Sequence, residues 1–166
     1  EAQVPIIAHA DVKHMLLEQK VFSEGGLALV YYAARLVDSE APDDAALLGL
    51  LTPVVKTWSS EQGLIANDRA IQVHGGYGYT RDFAVEQLLR DNRLNPIHEG
   101  TTGIQAIDLL GRKILRSDGS GMKVMRERVA NTAKRARIIT GLTEHAEALE
   151  AAFVRIQSVV ENLSAS

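Results

Sequence analysis

Positions Val12, Met15, Leu16, Gln19, Phe22, Gly26, Leu29, Ala33 and Leu36 recur at three- and four-residue steps. That period places them on one face of a helix running from a cap at Asp11 to about residue 38. Ser39 to Pro42 interrupts the pattern. Asp43 and Asp44 open a second helix, with acids in the first turn where the helix dipole favours them. Pro53 is expected to kink this helix without ending it, because the apolar pattern resumes at Val54 and continues through Trp58, Leu64, Ile65 and Ile71. Gly75 and Gly76 should terminate it. A shorter helix is predicted over Phe83–Asp91, and Pro96 blocks its continuation. Thr101 is placed to cap the next helix, in which Ile104, Ile107, Leu110 and Ile114 share a face. Residues 117–121, Ser-Asp-Gly-Ser-Gly, form the clearest linker. Beyond them the spacing predicts amphipathic helices at roughly 122–140 and 143–163. No strand pattern and no internal repeat emerges. The expectation is an all-α fold: an antiparallel up-down four-helix bundle over 1–116, followed by a helical extension over 117–166.

Composition narrows the function. The 166 residues are 46 % hydrophobic but only 5 % aromatic, which suits helices better than a sandwich. A net charge of −3 gives no global attraction to nucleic acid or to a membrane surface. No apolar run reaches the length of a membrane span. With no cysteine, disulfides and thiolate metal sites are excluded. The histidines His9, His14, His74, His98 and His145 have no metal-ligand spacing, so no metal site is expected. The basic stretch Lys123, Arg126, Arg128, Lys134, Arg135 and Arg137 lacks interleaved aromatics for base stacking. The acids Glu144, Glu147 and Glu150 that follow it suggest pairing between the last two helices. Gly25 and Gly26, inside the first helix, point to a close helix crossing.

The segment with candidate chemistry runs from Gln72-Val73-His74-Gly75-Gly76-Tyr77-Gly78 to His98-Glu99-Gly100-Thr101-Thr102-Gly103-Ile104-Gln105. One glycine would satisfy a helix C-cap; three in four residues suggest a close backbone approach. The spacing matches neither a dinucleotide fingerprint nor a phosphate-binding P-loop. Glu99 lies in a turn bracketed by Pro96 and Gly100. A glutamate before a helix ordinarily stabilises the dipole and does nothing else. A positioned carboxylate beside an apolar substrate is, however, what general-base chemistry needs.

These two motifs together resemble the C-terminal domain of the acyl-CoA dehydrogenases, in which a Q-x-x-G-G-x-G segment meets flavin and the glutamate of E-G-T-x-x-I-Q is the base. The likeness covers roughly residues 10–115. It implies a three-domain subunit whose FAD lies between domains and reaches across a subunit interface. On it, Glu99 is the base that removes the α-proton of an acyl-CoA, and Gly100 lines the substrate. Gln72, Val73, His74, Gly75 and Gly76 meet the flavin pyrophosphate of a neighbouring subunit, and Thr101, Thr102 and Gly103 contact the adenosine half of FAD. The resemblance also implies a homo-oligomer, electron-transfer flavoprotein as acceptor, and a bacterial cytoplasmic or mitochondrial matrix setting. Gly103 departs from a frequent glutamine, and His98 from a frequent tyrosine. Residues 117–166 resemble a C-terminally extended subgroup that includes 3-methylmercaptopropionyl-CoA dehydrogenases. The chain is therefore expected to be an excised domain. A helical assembly module without chemistry, and an acyl-CoA oxidase domain, stand as alternatives.

Overall fold

The computed structural model describes residues 3–165. They form six α-helices, α1 (Ala10–Val37), α2 (Pro42–His74), α3 (Val85–Arg93), α4 (Thr102–Ile107), α5 (Ser120–Ala136) and α6 (Thr143–Ser164). Short 3-10 helices lie at Ile6–Ala8 and Gly75–Tyr79, and π-helical turns at Asp108–Leu115 continue α4. No strand occurs among the described residues, so the fold is all-α. The chain divides into two compact units that interleave in sequence. One comprises the chain through Ala34 together with Pro53–Ala106; the other comprises Arg35–Thr52 and Ile107–Ser166.

In the first unit α1 and α2 run antiparallel. The Arg69 Nε donates to Glu18 Oε2 at 2.6 Å, while Phe22 meets Trp58 edge-on with ring centroids 6.5 Å apart. Partner numbers on α2 fall as those on α1 rise. A Cβ added at Gly25 would lie 3.0 Å from the Trp58 ring, so the absent side chain lets the indole seat on α1. Each α1 position picked out by the spacing is buried or half-buried. Leu17, Val21, Leu27 and Tyr31 form a second apolar set on α1, and all four are exposed. Helix α2 continues through Pro53, although a proline there removes an amide from the ladder. Against α2 lies α3: Asn92 Nδ2 donates to Asn67 Oδ1 at 2.9 Å, over the bare backbone of Gly63. Helix α3 starts and ends two residues later than expected. Phe83 belongs instead to the preceding turn, packed on His74 and Tyr77 with centroids at 5.1 and 6.2 Å.

The second unit is built on the α5–α6 hairpin. Its turn passes through Gly141 at φ +84. Arg126 donates to the Gln157 amide oxygen, and Arg137 Nη1 to Glu150 Oε1 at 3.1 Å. Val124, Ala133, Ala146 and Phe153 are buried, as are Leu36, Leu47 and Leu50 of the same unit. The charge runs are only partly reciprocal. Arg128 reaches instead to Asp44 Oδ1 at 2.6 Å, and Asp44 also accepts from Ser39 Oγ at 2.6 Å. Asp44 is buried, and these two donors satisfy its carboxylate.

Two glycines of this unit should respond to alanine with opposite signs. At Gly121 a Cβ would lie 3.0 Å from the Ala46 carbonyl and 3.2 Å from Leu50 Cβ, whereas Gly49 has nothing within 4 Å. Urea denaturation should show Gly121→Ala destabilising by about 1–3 kcal/mol and Gly49→Ala stabilising by about 0.5–1 kcal/mol; equal effects would contradict this packing. The Arg137 hydrogen bond holds the Glu150 carboxyl below its ordinary value. A lowered carboxyl stabilises above its unfolded-state value, and that contribution is lost as pH falls through the folded one. The gap in melting temperature between wild type and Glu150→Gln should therefore be present at neutral pH and close in acid. A gap independent of pH would contradict the pair.

Candidate functional site

After α3 ends at Arg93, the buried Pro96 has no amide to continue the ladder, and the chain closes in tight turns. Ile97 N–H and His98 N–H both donate to Leu94 O, at 2.9 and 3.1 Å. The next two residues take left-handed backbone, Glu99 at φ +56 and Gly100 at φ +95. Glycine adopts this freely; a glutamate does so at a cost of about 1–2 kcal/mol. Among the described residues, Glu99 is the one non-glycine with positive φ. A Cβ at Gly100 would also crowd Gln105 Nε2 and Ile104 Cγ2, each at 3.1 Å, in addition to the strain of its positive φ.

Side chains from two helices hold the turn. Gln105 Nε2, from α4, donates to Glu99 O at 2.8 Å. Lys56 Nζ, from α2, donates to Gly100 O at 2.5 Å. Thr102 anchors the start of α4 by donating from Oγ1 to Glu61 of α2. Glu99 stands at the lip of a depression of about 300 Å³, whose walls include Val30, Val55, Lys56, Ser59 and His98. Its side chain is 80 % exposed, with Oε2 4.0 Å from His98 Nε2. The Ser59 hydroxyl in the wall is buried without a hydrogen-bond partner. An exposed carboxylate on a rigid turn can accept a proton from a molecule seated in this depression, and a ligand laid over it would exclude water from it.

The other residues picked from sequence lie elsewhere on the same unit. Gln72 and His74 are exposed and Val73 half-buried near the C-terminal end of α2. Gly75, at φ +60, and Gly76 have open space where a Cβ would stand. Gly78 does not: a Cβ there would fall 2.5 Å from the Ile71 carbonyl, so the chain's own helix end accounts for one of the three glycines. Thr101 and Gly103 are exposed, and Thr101 O accepts the Gln105 N–H at 3.0 Å. Thr102 is tied to Glu61, eleven residues before Gln72 on α2. At 1.5 Å per residue, that is about 16 Å along the helix. The two motifs thus stand at separate levels of one helix. Exposed amide and hydroxyl groups beside unobstructed glycine backbone fit the hydrogen-bonding needs of a dinucleotide's pyrophosphate and ribose.

Sequence reasoning missed Lys56, whose signal was a single cation inside the apolar run Val54–Trp58. It also missed a polar depression of about 620 Å³ lined by Tyr79, Arg81, Phe83, Glu86, Gln87 and Arg90, in which Arg90 is paired with Glu86 at 2.9 Å.

Residues 1–115 match the family model for "Acyl-CoA dehydrogenase, C-terminal domain". The chain belongs to the acyl-CoA dehydrogenase family. It is 40 % identical over 136 residues to the 3-methylmercaptopropionyl-CoA dehydrogenase of Ruegeria pomeroyi, covering 78 % of this chain and 23 % of that relative. It is 38 % identical over 126 residues to a broad-specificity linear acyl-CoA dehydrogenase of Mycobacterium tuberculosis, covering 70 % of this chain and 21 % of that one. A butyryl-CoA dehydrogenase of Syntrophomonas wolfei is 36 % identical over 130 residues, 72 % of this chain and 21 % of the relative. The chain thus spans between a fifth and a quarter of the length of these relatives. No helix among the described residues is long and apolar enough to cross a membrane.

The strain at Glu99 is measurable without any ligand. Glu99→Gly should stabilise the chain by ~0.5–1 kcal/mol in urea denaturation, because relief of the left-handed conformation exceeds the entropy glycine adds to the unfolded state. A loss of stability would mean that Glu99 is not strained.

Proposed function

We propose that this chain is the part of an FAD-dependent acyl-CoA dehydrogenase that carries the catalytic base, Glu99. The observation that carries the reading is the left-handed turn that presents its carboxylate at the lip of a depression, in a chain of this family. In the reaction, the Glu99 carboxylate takes the α-proton of a bound acyl-CoA. A hydride leaves the β-carbon, and the product is the trans-2-enoyl-CoA. FAD, when bound, supplies the hydride acceptor and is reduced by the two electrons. Gly100, with no side chain, leaves room for the thioester end of the substrate beside the base.

Thr101, Thr102 and Gly103 would hold one FAD, and Gln72, Val73, His74, Gly75 and Gly76 the FAD of a neighbouring copy. The exposed apolar set Leu17, Val21, Leu27 and Tyr31 supports a homo-oligomer, since such a face is normally covered. Residues 1–116 form the bundle domain and 117–166 its extension, a division supported by the family match ending at residue 115. Electron-transfer flavoprotein would reoxidise the flavin, in a bacterial cytoplasm or a mitochondrial matrix.

The test is Glu99→Gln in the full-length enzyme. The amide keeps the size and reach of the carboxylate and removes its basicity. Rapid mixing with acyl-CoA should show flavin bleaching slowed by at least about 10²–10⁴-fold, with flavin content and acyl-CoA binding retained. Bleaching at the wild-type rate would remove Glu99 from the role of base.

A further inference from the structure

We propose that Lys56 is a positioning residue for the reaction, the outer jaw of a clamp that keeps Glu99 aimed at the substrate. The proposal rests on the reading of Glu99 as the base and adds a residue to it. Glu99 is 80 % exposed, so packing around its side chain does not aim it. What aims it is the backbone. The carbonyls of Glu99 and Gly100 belong to the peptide planes on either side of Gly100, and each is gripped by a side chain from a different helix. Gln105 Nε2 lies 2.8 Å from Glu99 O, and Lys56 Nζ lies 2.5 Å from Gly100 O. The first bond fixes the plane that sets ψ of Glu99; the second fixes the next plane and ties the turn to α2. Both planes on the C-terminal side of Glu99 are thus held against a rearrangement of the turn in which Glu99 stands at φ +56.

The strain gives the clamp its purpose. Without the clamp, a glutamate at positive φ relaxes toward ordinary backbone, and such a flip moves its carboxylate from its place at the depression. Lys56 is suited to resist this. It comes from the middle of a long helix, 44 residues away in sequence, so it does not move with the turn. Its stem lies in the apolar run Val54–Trp58, and its ammonium forms a charge-assisted bond to a neutral carbonyl. It also lines the same depression as Glu99.

The experiment uses the full-length flavoenzyme, with anaerobic rapid mixing to separate the limiting rate of flavin bleaching from half-saturation by acyl-CoA. Lys56→Met keeps the stem and removes the donor. It should lower the limiting rate by about 10–10²-fold, the cost of a base displaced by about an ångström, while half-saturation changes by less than about threefold. Lys56→Arg keeps a donor and should restore most of the rate. Gln105→Met, which opens the other jaw, should give the same rate-specific loss, and it carries the test if the Lys56→Met enzyme fails to load flavin. Wild-type bleaching in both methionine variants, alongside a dead Glu99→Gln enzyme, overturns the clamp and leaves the base reading standing. Equal loss of rate and binding with no rescue by arginine overturns it in favour of a merely structural lysine. Wild-type bleaching in Glu99→Gln overturns the base reading and the clamp with it.

Discussion

Glu99 stays at φ +56 because the turn that contains it is held from outside. The left-handed conformation costs about 1–2 kcal/mol. A hydrogen bond from a charged donor, such as Lys56 to Gly100 O, contributes about 1.5–3 kcal/mol, and a neutral one, such as Gln105 to Glu99 O, about 1 kcal/mol. The gains exceed the cost, so the strained geometry is the stable one. The rest of the first unit serves this balance. Pro96 stops the ladder where the turn must begin, Gly100 leaves room for Gln105 and Ile104, and the α1–α2 pair fixes the helix from which Lys56 reaches.

The periodicity of apolar residues made the helices legible because burial of one face is a local, repeating demand. It marked the buried face of α1 and the persistence of α2 through Pro53. It misjudged α3 by two residues, since Phe83 is apolar for the sake of His74 and Tyr77 and not for a helix face. The π-helical turns after α4 left no mark in the spacing. The interleaving of two compact units was also hidden, because α1 and α2 each contribute to both.

Within the candidate site, the bracket of Pro96 and Gly100 was readable, but the left-handed glutamate between them was not. Only glycine advertises positive φ in a sequence. Lys56 was invisible for a different reason: a hydrogen bond between residues 44 apart leaves no local pattern. The glycine cluster proved to be two things at once. Gly78 seats the chain against Ile71, while Gly75 and Gly76 keep their backbone open. That open backbone stands about 16 Å along α2 from the level at which Thr102 is tied to Glu61.

If Glu99 takes a proton from the carbon next to the thioester, exchange at that carbon isolates the step. An acyl-CoA with no β-hydrogen can lose its α-proton but cannot transfer a hydride. Incubated with the full-length enzyme in heavy water, such a compound should gain deuterium at its α-carbon, followed by NMR. The exchange should vanish in Glu99→Gln while flavin remains bound. Exchange that persists at the wild-type rate in that variant would contradict the account, because another group would then be the base.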